Sequence, residues 1–216
     1  MSILKNILVC IGCGLLLMPF AAKAGPLMIA EVDMGTLDCL FFPGCNAGPA
    51  TTGSAGTFIP PGDVGTGLLT SRTFPAANGA PQAGSTAYVY RVNMEPVAWG
   101  NLDNCVAKLM LDIGPIAELR YHPNDLYPAD VFVVTKGAAP NGLGTVGLSS
   151  AVQTGSVITF TFSQPICPNG SVTNKIPGQM SFFFGVVSRM PSKPSTARVV
   201  YTLGGGAFTA ARVPTH

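Results

Sequence analysis

Residues 177–191, PGQMSFFFGVVSRMP, carry three consecutive phenylalanines and two valines between prolines. Because successive side chains of a strand point to opposite sides of a sheet, the centre of this stretch, 180–188, places Phe182 and Phe184 on one face and Phe183 on the other. A strand that is apolar on both faces is typical of a central strand covered on both sides. So short a segment does not span a membrane as a helix, which needs about 20 residues. We predict a core strand, with an exposed aromatic patch for a ligand or partner as the alternative.

Alternation of apolar and polar residues predicts further strands, each half-buried. In CVAKLMLDI (105–113) every odd position is apolar, and Lys108 and Asp112 fall on the opposite face. In SVITFTFS (156–163) isoleucine and two phenylalanines alternate with threonine and serine. No segment combines a sustained helical period with a cap. Other candidate strands are PLMIAEVDM (26–34), AYVYRVN (87–93), DVFVVT (130–135), TARVVYTL (196–203) and AFTAARV (207–213), the last two joined by three glycines.

Short strands separated by Gly/Pro turns indicate an all-β protein, an antiparallel β-sandwich that is immunoglobulin-like or jelly-roll-like. We place this domain at 86–214, after an N-terminal strand and a small disulfide loop at 25–45. Residues 46–85 contain 8 Gly, 5 Pro and 9 Ser/Thr. Such a composition does not sustain regular structure throughout, so this Gly/Pro/Ser/Thr-rich segment is predicted to be a loop or linker with parts docked on the domain.

The N-terminus has the layout of a cleavable secretory signal. Lys5 precedes an apolar run over 7–20, and the small-residue triplet Ala22-Lys23-Ala24 follows. The run is shorter than the length that a spanning helix needs, which argues against a permanent anchor. We expect residues 1–24 to be a signal peptide removed after Ala24, and the remaining chain to be secreted or periplasmic.

Four of the six cysteines lie beyond this signal: Cys39, Cys45, Cys105 and Cys167. An even number in an exported chain predicts two disulfides, for which three connectivities are possible. Cys39 and Cys45 flank a short loop and are able to close it locally, which leaves Cys105 with Cys167. The spacing lacks the second close pair that a zinc site requires, so no metal is predicted there.

Charge is sparse and unevenly distributed along the chain. Charged residues make up 10% of the sequence, and ten basic residues balance ten acidic ones once residues 1–24 are removed. This balance lacks the basic footprint of a nucleic-acid binder. All acidic residues lie at or before Asp130, so that 25–130 carries a net charge of −6 and 131–216 carries +6. Cross-strand pairing inside one sandwich is the simpler interpretation, and head-to-tail self-association of acidic and basic ends is the alternative.

Two phrases, SVITFTFSQPICPNG (156–170) and SFFFGVVSRMP (181–191), resemble those of exported bacterial β-sandwich proteins, many of which have no assigned function. The resemblance implies the sandwich fold and no catalytic residue. Proteins of this kind often end in a sorting tail with a Pro-Glu-Pro motif, an apolar span and an arginine cluster. The chain ends in AARVPTH instead, so this mode of surface attachment is not expected.

The motifs for catalysis are weak, and we predict that the protein is not an enzyme and binds no cofactor. GLGTVG (142–147) matches the dinucleotide pattern, yet LSSAVQTGSV follows where a helix is required, and no acidic residue follows at all. We interpret it as a glycine-rich turn. His122 is the only internal histidine, and no G-x-S-x-G nucleophile elbow occurs.

Two features suit ligand binding. RYHPNDLYPAD (120–130) gathers polar side chains that fit either a turn or a calcium site, and Trp99 suits stacking on a sugar ring or packing at a sandwich edge. The candidate ligand-binding residues are therefore Trp99, His122, Asn124, Asp125 and Asp130.

The predicted function is that of an exported, non-catalytic structural, adhesive or surface-interaction protein, with a protein or surface glycan as partner. The alternative is a carbohydrate- or small-ligand-binding module, calcium-dependent if 120–130 holds the ion. Strand addition through PLMIAEVDM is expected to drive self-association if this strand has no partner within its own chain.

Overall fold

The computed structural model describes residues 25–46, 52–100, 104–121, 128–138, 142–170 and 178–215. The predicted signal peptide, 1–24, lies outside them. The described elements are β1 (Gly25–Pro26), β2 (Ile29–Asp33), α1 (Met34–Phe41), β3 (Thr52–Phe58), β4 (Gly67–Pro75), β5 (Thr86–Asn93), β6 (Val106–Asp112), β7 (Val131–Lys136), β8 (Leu148–Thr154), β9 (Val157–Ile166), β10 (Phe183–Ser188), β11 (Ser192–Tyr201) and β12 (Gly206–Pro214).

The strands form two six-stranded sheets packed face to face, which confirms the predicted sandwich. The first sheet has the order β1-β8-β9-β6-β11-β12, and the second has the order β2-β7-β10-β5-β4-β3. Neighbouring strands are antiparallel except for β2 and β7, which run parallel. Strand β2 is therefore paired within its own chain, and the condition set for self-association by strand addition is not met.

The core between the sheets centres on an aromatic cluster. The Phe184 ring lies 5.1 Å from Phe160, 6.0 Å from Tyr90 and 5.8 Å from Phe162, measured between ring centroids. Phe160 and Phe162 come from the alternating β9 strand, whose inward positions are buried as the period-two pattern predicts. Tilted and edge-on ring pairs of this kind add about 0.5–1.5 kcal/mol each beyond the area that they bury.

The other face of β10 is also covered, so the core-strand prediction is confirmed. All six residues of β10 are buried. Phe183 and Val187 belong to a second apolar cluster on the outer face of the second sheet, together with Phe41 of α1 and Leu119. The phenylalanine run therefore serves two clusters, because consecutive residues alternate between the two sides of the sheet.

Helix α1 is a feature that the sequence analysis missed. The predicted strand at 26–34 ends at Asp33, which instead caps the helix: its Oδ1 accepts from the backbone N of Gly35 at 2.9 Å and of Thr36 at 3.2 Å. An eight-residue helix is too short to show a clear period and too short to be stable alone. Burial of Leu37 and Phe41 on the second sheet stabilises it.

The prediction of loop or linker over 46–85 is wrong for two stretches, which form β3 and β4. Inward positions of β4 carry small hydroxyl side chains, and Ser71 Oγ lies 2.7 Å from Ser54 Oγ of β3. Gly56 lies against Thr209 and Ala210 of β12, where a Cβ would overlap their atoms. Small residues are thus needed where the edges of the two sheets meet, and their composition resembles that of a loop.

Strand β6 departs from strict alternation at its start. Val106 is buried and Ala107 is only half-buried, the reverse of the prediction from odd and even positions. The pairing of β6 with both neighbours shifts register between Val106 and Lys108. A β-bulge adds one residue to a strand and exchanges the faces of the residues beyond it.

Candidate functional site

The strand directions divide the loops into two groups at opposite ends of the sandwich. A strand extends about 3.3 Å per residue, so the length of β5 places the two groups of loops roughly 25 Å apart. The first group, which we call the Trp99 end, consists of 59–66, 94–100, 167–170 and 202–205. The second, which we call the Asp130 end, consists of 76–85, 113–121, 128–130 and 189–191.

Of the predicted ligand residues, the structure describes Trp99 and Asp130. Trp99 and Asp130 lie at opposite ends, so they do not form one binding site. His122, Asn124 and Asp125 lie outside the described residues, and their predicted role stays a prediction. Among the residues that the structure does describe, no three His, Cys, Asp or Glu side chains gather as metal ligands.

Hydrogen bonds hold the loops of the Trp99 end against one another. Val64 and Ala98 exchange backbone bonds of 2.9 and 2.6 Å, and the backbone N of Trp99 donates to Asn169 O at 2.8 Å. Buried Asn104 donates from Nδ2 to the carbonyl of Pro61 at 2.9 Å. These bonds connect three loops that are distant in sequence, so the tryptophan lies on a preformed surface.

A disulfide reinforces this end. Cys105 pairs with Cys167, as the sequence analysis proposed, and joins the start of β6 to the loop after β9. The carbonyl of Cys105 also accepts from the backbone N of Thr202 at 2.9 Å. The second disulfide, Cys39–Cys45, closes a short loop from α1 and is likewise the pairing proposed. Two disulfides fit an oxidising, extracytoplasmic environment.

The Trp99 end exposes large apolar side chains. We call the set Ile59, Val64, Trp99 and Leu203 the apolar rim; their exposed fractions are 67%, 66%, 38% and 62%. Each of these residues lies in a loop and not on a sheet face. Four of the seven large apolar side chains that are exposed among the described residues therefore lie at this end.

The side chain of Tyr201 stabilises the loop that carries Ile59 of the apolar rim. Its hydroxyl donates to the carbonyl of Ile59 at 3.4 Å. Burial, with a smaller contribution from the negative charge of Asp63, raises the pKa of Tyr201 to about 12. The phenol therefore stays neutral at physiological pH and anchors the loop that carries Ile59.

Asp130 has a structural role in the described fold. Its Oδ2 accepts from the backbone N of Met28 at 2.9 Å, and the backbone N atoms of Asp130 and Val131 donate to Met28 O at 2.9 and 3.0 Å. These bonds fix the link between β1 and β2 where the chain passes from one sheet to the other. Asp130 also lines a cavity of about 310 Å³ that includes Gly25 and Glu118.

A larger cavity of about 600 Å³ adjoins it at the same end. The two cavities share Pro115, Ile116 and Glu118. Arg120 and Arg189 also line the larger one and come from different loops. No local pattern in the sequence points to Arg189, because 69 positions separate the two arginines and only the fold makes them neighbours.

Arg91 is a buried cation that the sequence analysis also missed. Its guanidinium carbon lies 4.3 Å from the centre of the Phe183 ring, and Nη1 donates to the carbonyl of Gly142 at 3.0 Å. Burial, with a smaller contribution from Arg72, lowers the pKa of Arg91, and Glu95 opposes the shift. These contacts tie the 142–147 segment to the second sheet.

The GLGTVG segment does not form a dinucleotide site. It leads into strand β8 and not into a helix, so no helix N-terminus faces a pyrophosphate there. Gly142 and Gly144 adopt positive φ angles of 79° and 93°, a conformation that glycine favours.

Early acidic and late basic residues lie side by side in the fold. The parallel register of β2 and β7 places Asp33 opposite Lys136. Both sheets contain early and late strands side by side, since β6 lies between β9 and β11 and β5 lies beside β10. The two halves of opposite charge are therefore mixed in space, which favours cross-strand pairing over charge-driven head-to-tail assembly.

Comparison with known proteins adds no relative. No protein-family model, no curated protein and no solved structure matches the chain. None of the helices formed by the described residues has the length and apolar character to cross a membrane. The fold and the two ends define a disulfide-linked β-sandwich, and its function is argued from its surfaces.

Proposed function

We propose that the protein is an exported, non-catalytic interaction protein that binds a protein partner through the apolar rim of the Trp99 end. The observation that carries this proposal is the exposure of Ile59, Val64 and Leu203 beside Trp99 on cross-linked loops. A preformed surface loses little conformational entropy on binding, so apolar burial contributes directly to affinity.

The chemistry of the rim favours a protein over a glycan. Three of its four side chains are aliphatic, and they lack the hydrogen-bonding groups that recognise sugar hydroxyls. Apolar contacts near an aromatic residue are typical of the centre of a protein interface. The alternative is that Trp99 binds a carbohydrate, and the experiment must distinguish this outcome from the binding of a protein.

Export and lack of catalysis belong to the same proposal. The signal-like N-terminus and the two disulfides support export. The low charge fraction of 10% suits a protein that packs against neighbours. Side chains at both ends anchor loops and link strands; Asp130, for example, accepts a hydrogen bond from the backbone N of Met28. These structural contacts support a non-catalytic role.

The test is binding of the purified chain 25–216, with its disulfides formed, to envelope preparations from the source cells. Leu203→Ser and Ile59→Ser each remove an exposed aliphatic side chain from the apolar rim and leave the core unchanged. Val152→Ser is the matched control, because Val152 is also an exposed aliphatic residue and lies on β8 away from the rim. Loss of one buried aliphatic contact of about 1.4 kcal/mol weakens binding about tenfold.

Treatment of the envelopes separates the partner classes. Protease treatment is expected to abolish binding, whereas periodate oxidation of glycans leaves it unchanged. Equal binding by Leu203→Ser, Ile59→Ser and Val152→Ser would contradict the proposed surface. Binding that resists protease, is lost after periodate and requires Trp99 would replace the protein partner with a carbohydrate.

A further inference from the structure

We propose that the 600 Å³ cavity at the Asp130 end binds a small polyhydroxylated carboxylate, of which a sugar acid is the simplest form. This site is separate from the apolar rim and lies at the opposite end of the sandwich. Its volume falls within the range of about 300–1,000 Å³ typical of small-molecule sites. The residues that line it supply the three kinds of contact that such a ligand requires.

The walls of the cavity are held in place before any ligand binds. The 115–120 wall is fixed by a bond from Ala117 N to Val187 O at 2.7 Å and by the hydroxyl of buried Ser188, which donates to Pro115 O at 2.6 Å. The 189–190 wall is fixed by Tyr88, whose hydroxyl donates to Met190 O at 2.7 Å.

The third wall is a turn that is also fixed. The backbone N of Gln82 donates to Leu40 O at 3.0 Å, and its carbonyl accepts from Ser85 Oγ at 2.6 Å. Three chain segments distant in sequence therefore meet in one preformed cavity. A preformed site loses less free energy to ordering when a ligand binds.

Two guanidinium groups provide the anion contact. Arg120 and Arg189 line the same cavity from different loops. The planar guanidinium matches the two oxygens of a carboxylate and forms paired, charge-assisted hydrogen bonds.

The remaining polar groups suit hydroxyls. Glu118 supplies carboxylate acceptors, and the amide of Gln82 supplies both a donor and an acceptor. Pro81, Pro115 and Ile116 line the cavity with apolar surface against which the C–H face of a sugar ring packs. A carboxylate that also carries hydroxyls uses all three kinds of contact.

Glu118 also discriminates between anions. Its negative charge in the wall opposes a multiply charged ligand more strongly than a monoanion, because Coulomb repulsion scales with the product of the charges. Inorganic phosphate also lacks the C–H face that would pack on Ile116 and the spaced hydroxyls that would contact Gln82, so it is expected to bind more weakly than a sugar carboxylate. Replacement of Glu118 by Gln removes the repulsion and keeps one acceptor oxygen, so it should strengthen phosphate binding more than galacturonate binding.

The experiment is calorimetric titration of the chain 25–216 with three probes: D-galacturonate, neutral D-galactose and inorganic phosphate. We expect saturable binding of galacturonate alone. Arg120→Gln and Arg189→Gln should each weaken it at least about fivefold, as the loss of a charge-assisted bond predicts. Arg198→Gln, an exposed arginine on β11 that does not line the cavity, serves as the matched control.

The substituted side chains are exposed, so every variant is expected to keep the fold. Thermal unfolding of each variant verifies this. Glu118→Gln provides the second readout: phosphate binding strengthens more than galacturonate binding does. The proposal is overturned if galactose or phosphate binds the unaltered chain as tightly as galacturonate. It is also overturned if galacturonate fails to bind, or if Arg198→Gln weakens its binding as much as the two cavity variants do.

Discussion

The Trp99 end and the Asp130 end cap the same two sheets with opposite chemistry. At the Trp99 end a disulfide and inter-loop backbone bonds hold exposed apolar side chains. At the Asp130 end, hydrogen bonds from Tyr88 and Ser188 hold loops whose arginines and glutamate line a cavity.

This difference shows that the scaffold sets where loops meet, while the loop residues set the chemistry of each surface. A close-packed apolar core that contains Phe184 separates the two ends. Substitutions at one end are therefore expected to be additive with those at the other, as sites more than about 10 Å apart usually are.

Removal of the Cys105–Cys167 disulfide is expected to have the largest effect on stability. Its loop spans 62 positions, and the chain-entropy relation gives a loss of about 4 kcal/mol for the double alanine variant. The measurement is denaturant unfolding monitored by Trp99 fluorescence and by circular dichroism.

The Cys39–Cys45 disulfide is the natural comparison, because it closes a loop of only six positions in the outer layer. The same relation gives a loss of about 2 kcal/mol. Equal losses for the two double variants would mean that loop length does not control stability at the Trp99 end.

Buried polar side chains of the two ends are expected to contribute about equally. Asn104→Ala removes the donor to Pro61 O, and Ser188→Ala removes the donor to Pro115 O. Each change leaves a carbonyl without its hydrogen-bond donor and lowers the free energy of unfolding by about 1–3 kcal/mol. Each variant should loosen only its own end, which amide hydrogen exchange resolves loop by loop. Exchange that rises at both ends in either variant would show that the ends are coupled.

High pH is expected to destabilise the fold through buried tyrosines, among them Tyr88 at the Asp130 end and Tyr201 at the Trp99 end. Burial raises the pKa of Tyr88 and of Tyr201 from 10.0 to about 12, with Asp63 adding to the shift at Tyr201. The folded state thus holds these protons more tightly than the unfolded state. Their stabilisation is complete below pH 10 and is lost as the pH rises through 12.

The pH dependence separates the two tyrosines. Tyr88→Phe and Tyr201→Phe should each flatten the fall in unfolding free energy between pH 10 and 12, read from denaturant titrations. Asp63→Asn should lower the pKa of Tyr201 and leave that of Tyr88 unchanged, which absorbance of the phenolate reports. An equal change at both tyrosines would refute the assignment of Asp63 to the Trp99 end alone.

Changes at the apolar rim are expected to have the smallest effect on stability. Leu203→Ser and Val152→Ser both replace exposed side chains, so each should alter the unfolding free energy by less than about 0.5 kcal/mol. Calorimetric melting of both variants provides the measurement. A large loss for Leu203→Ser alone would assign this residue to the fold and remove it from the proposed interaction surface.

Period two was a reliable guide wherever apolar side chains line a sheet. The 157–163 part of the predicted 156–163 strand lies in β9 with the expected face buried, and the 183–188 part of the predicted 180–188 strand forms β10, which is buried on both faces. The same signal failed for β3 and β4, because the meeting of Ser71 with Ser54 and the contact of Gly56 with β12 require small residues. Composition alone does not distinguish such a strand from a loop.

The candidate site was less predictable than the fold. Trp99 was named from its residue type, but its rim partners come from loops more than 30 positions away on either side. Arg120 and Arg189 lie in one cavity only because the segment 115–120 passes the end of β10. No local pattern records such a meeting.

The amino-acid sequence by itself determined the all-β architecture, the central strand with two buried faces and the available cysteine pairings, because these depend on local alternation and on residue chemistry. Tertiary structure alone decided which loops share an end, where β6 changes faces and how Asp33 begins a helix. Those outcomes depend on contacts between segments far apart in the chain, whose free energy is set only when both sheets have packed.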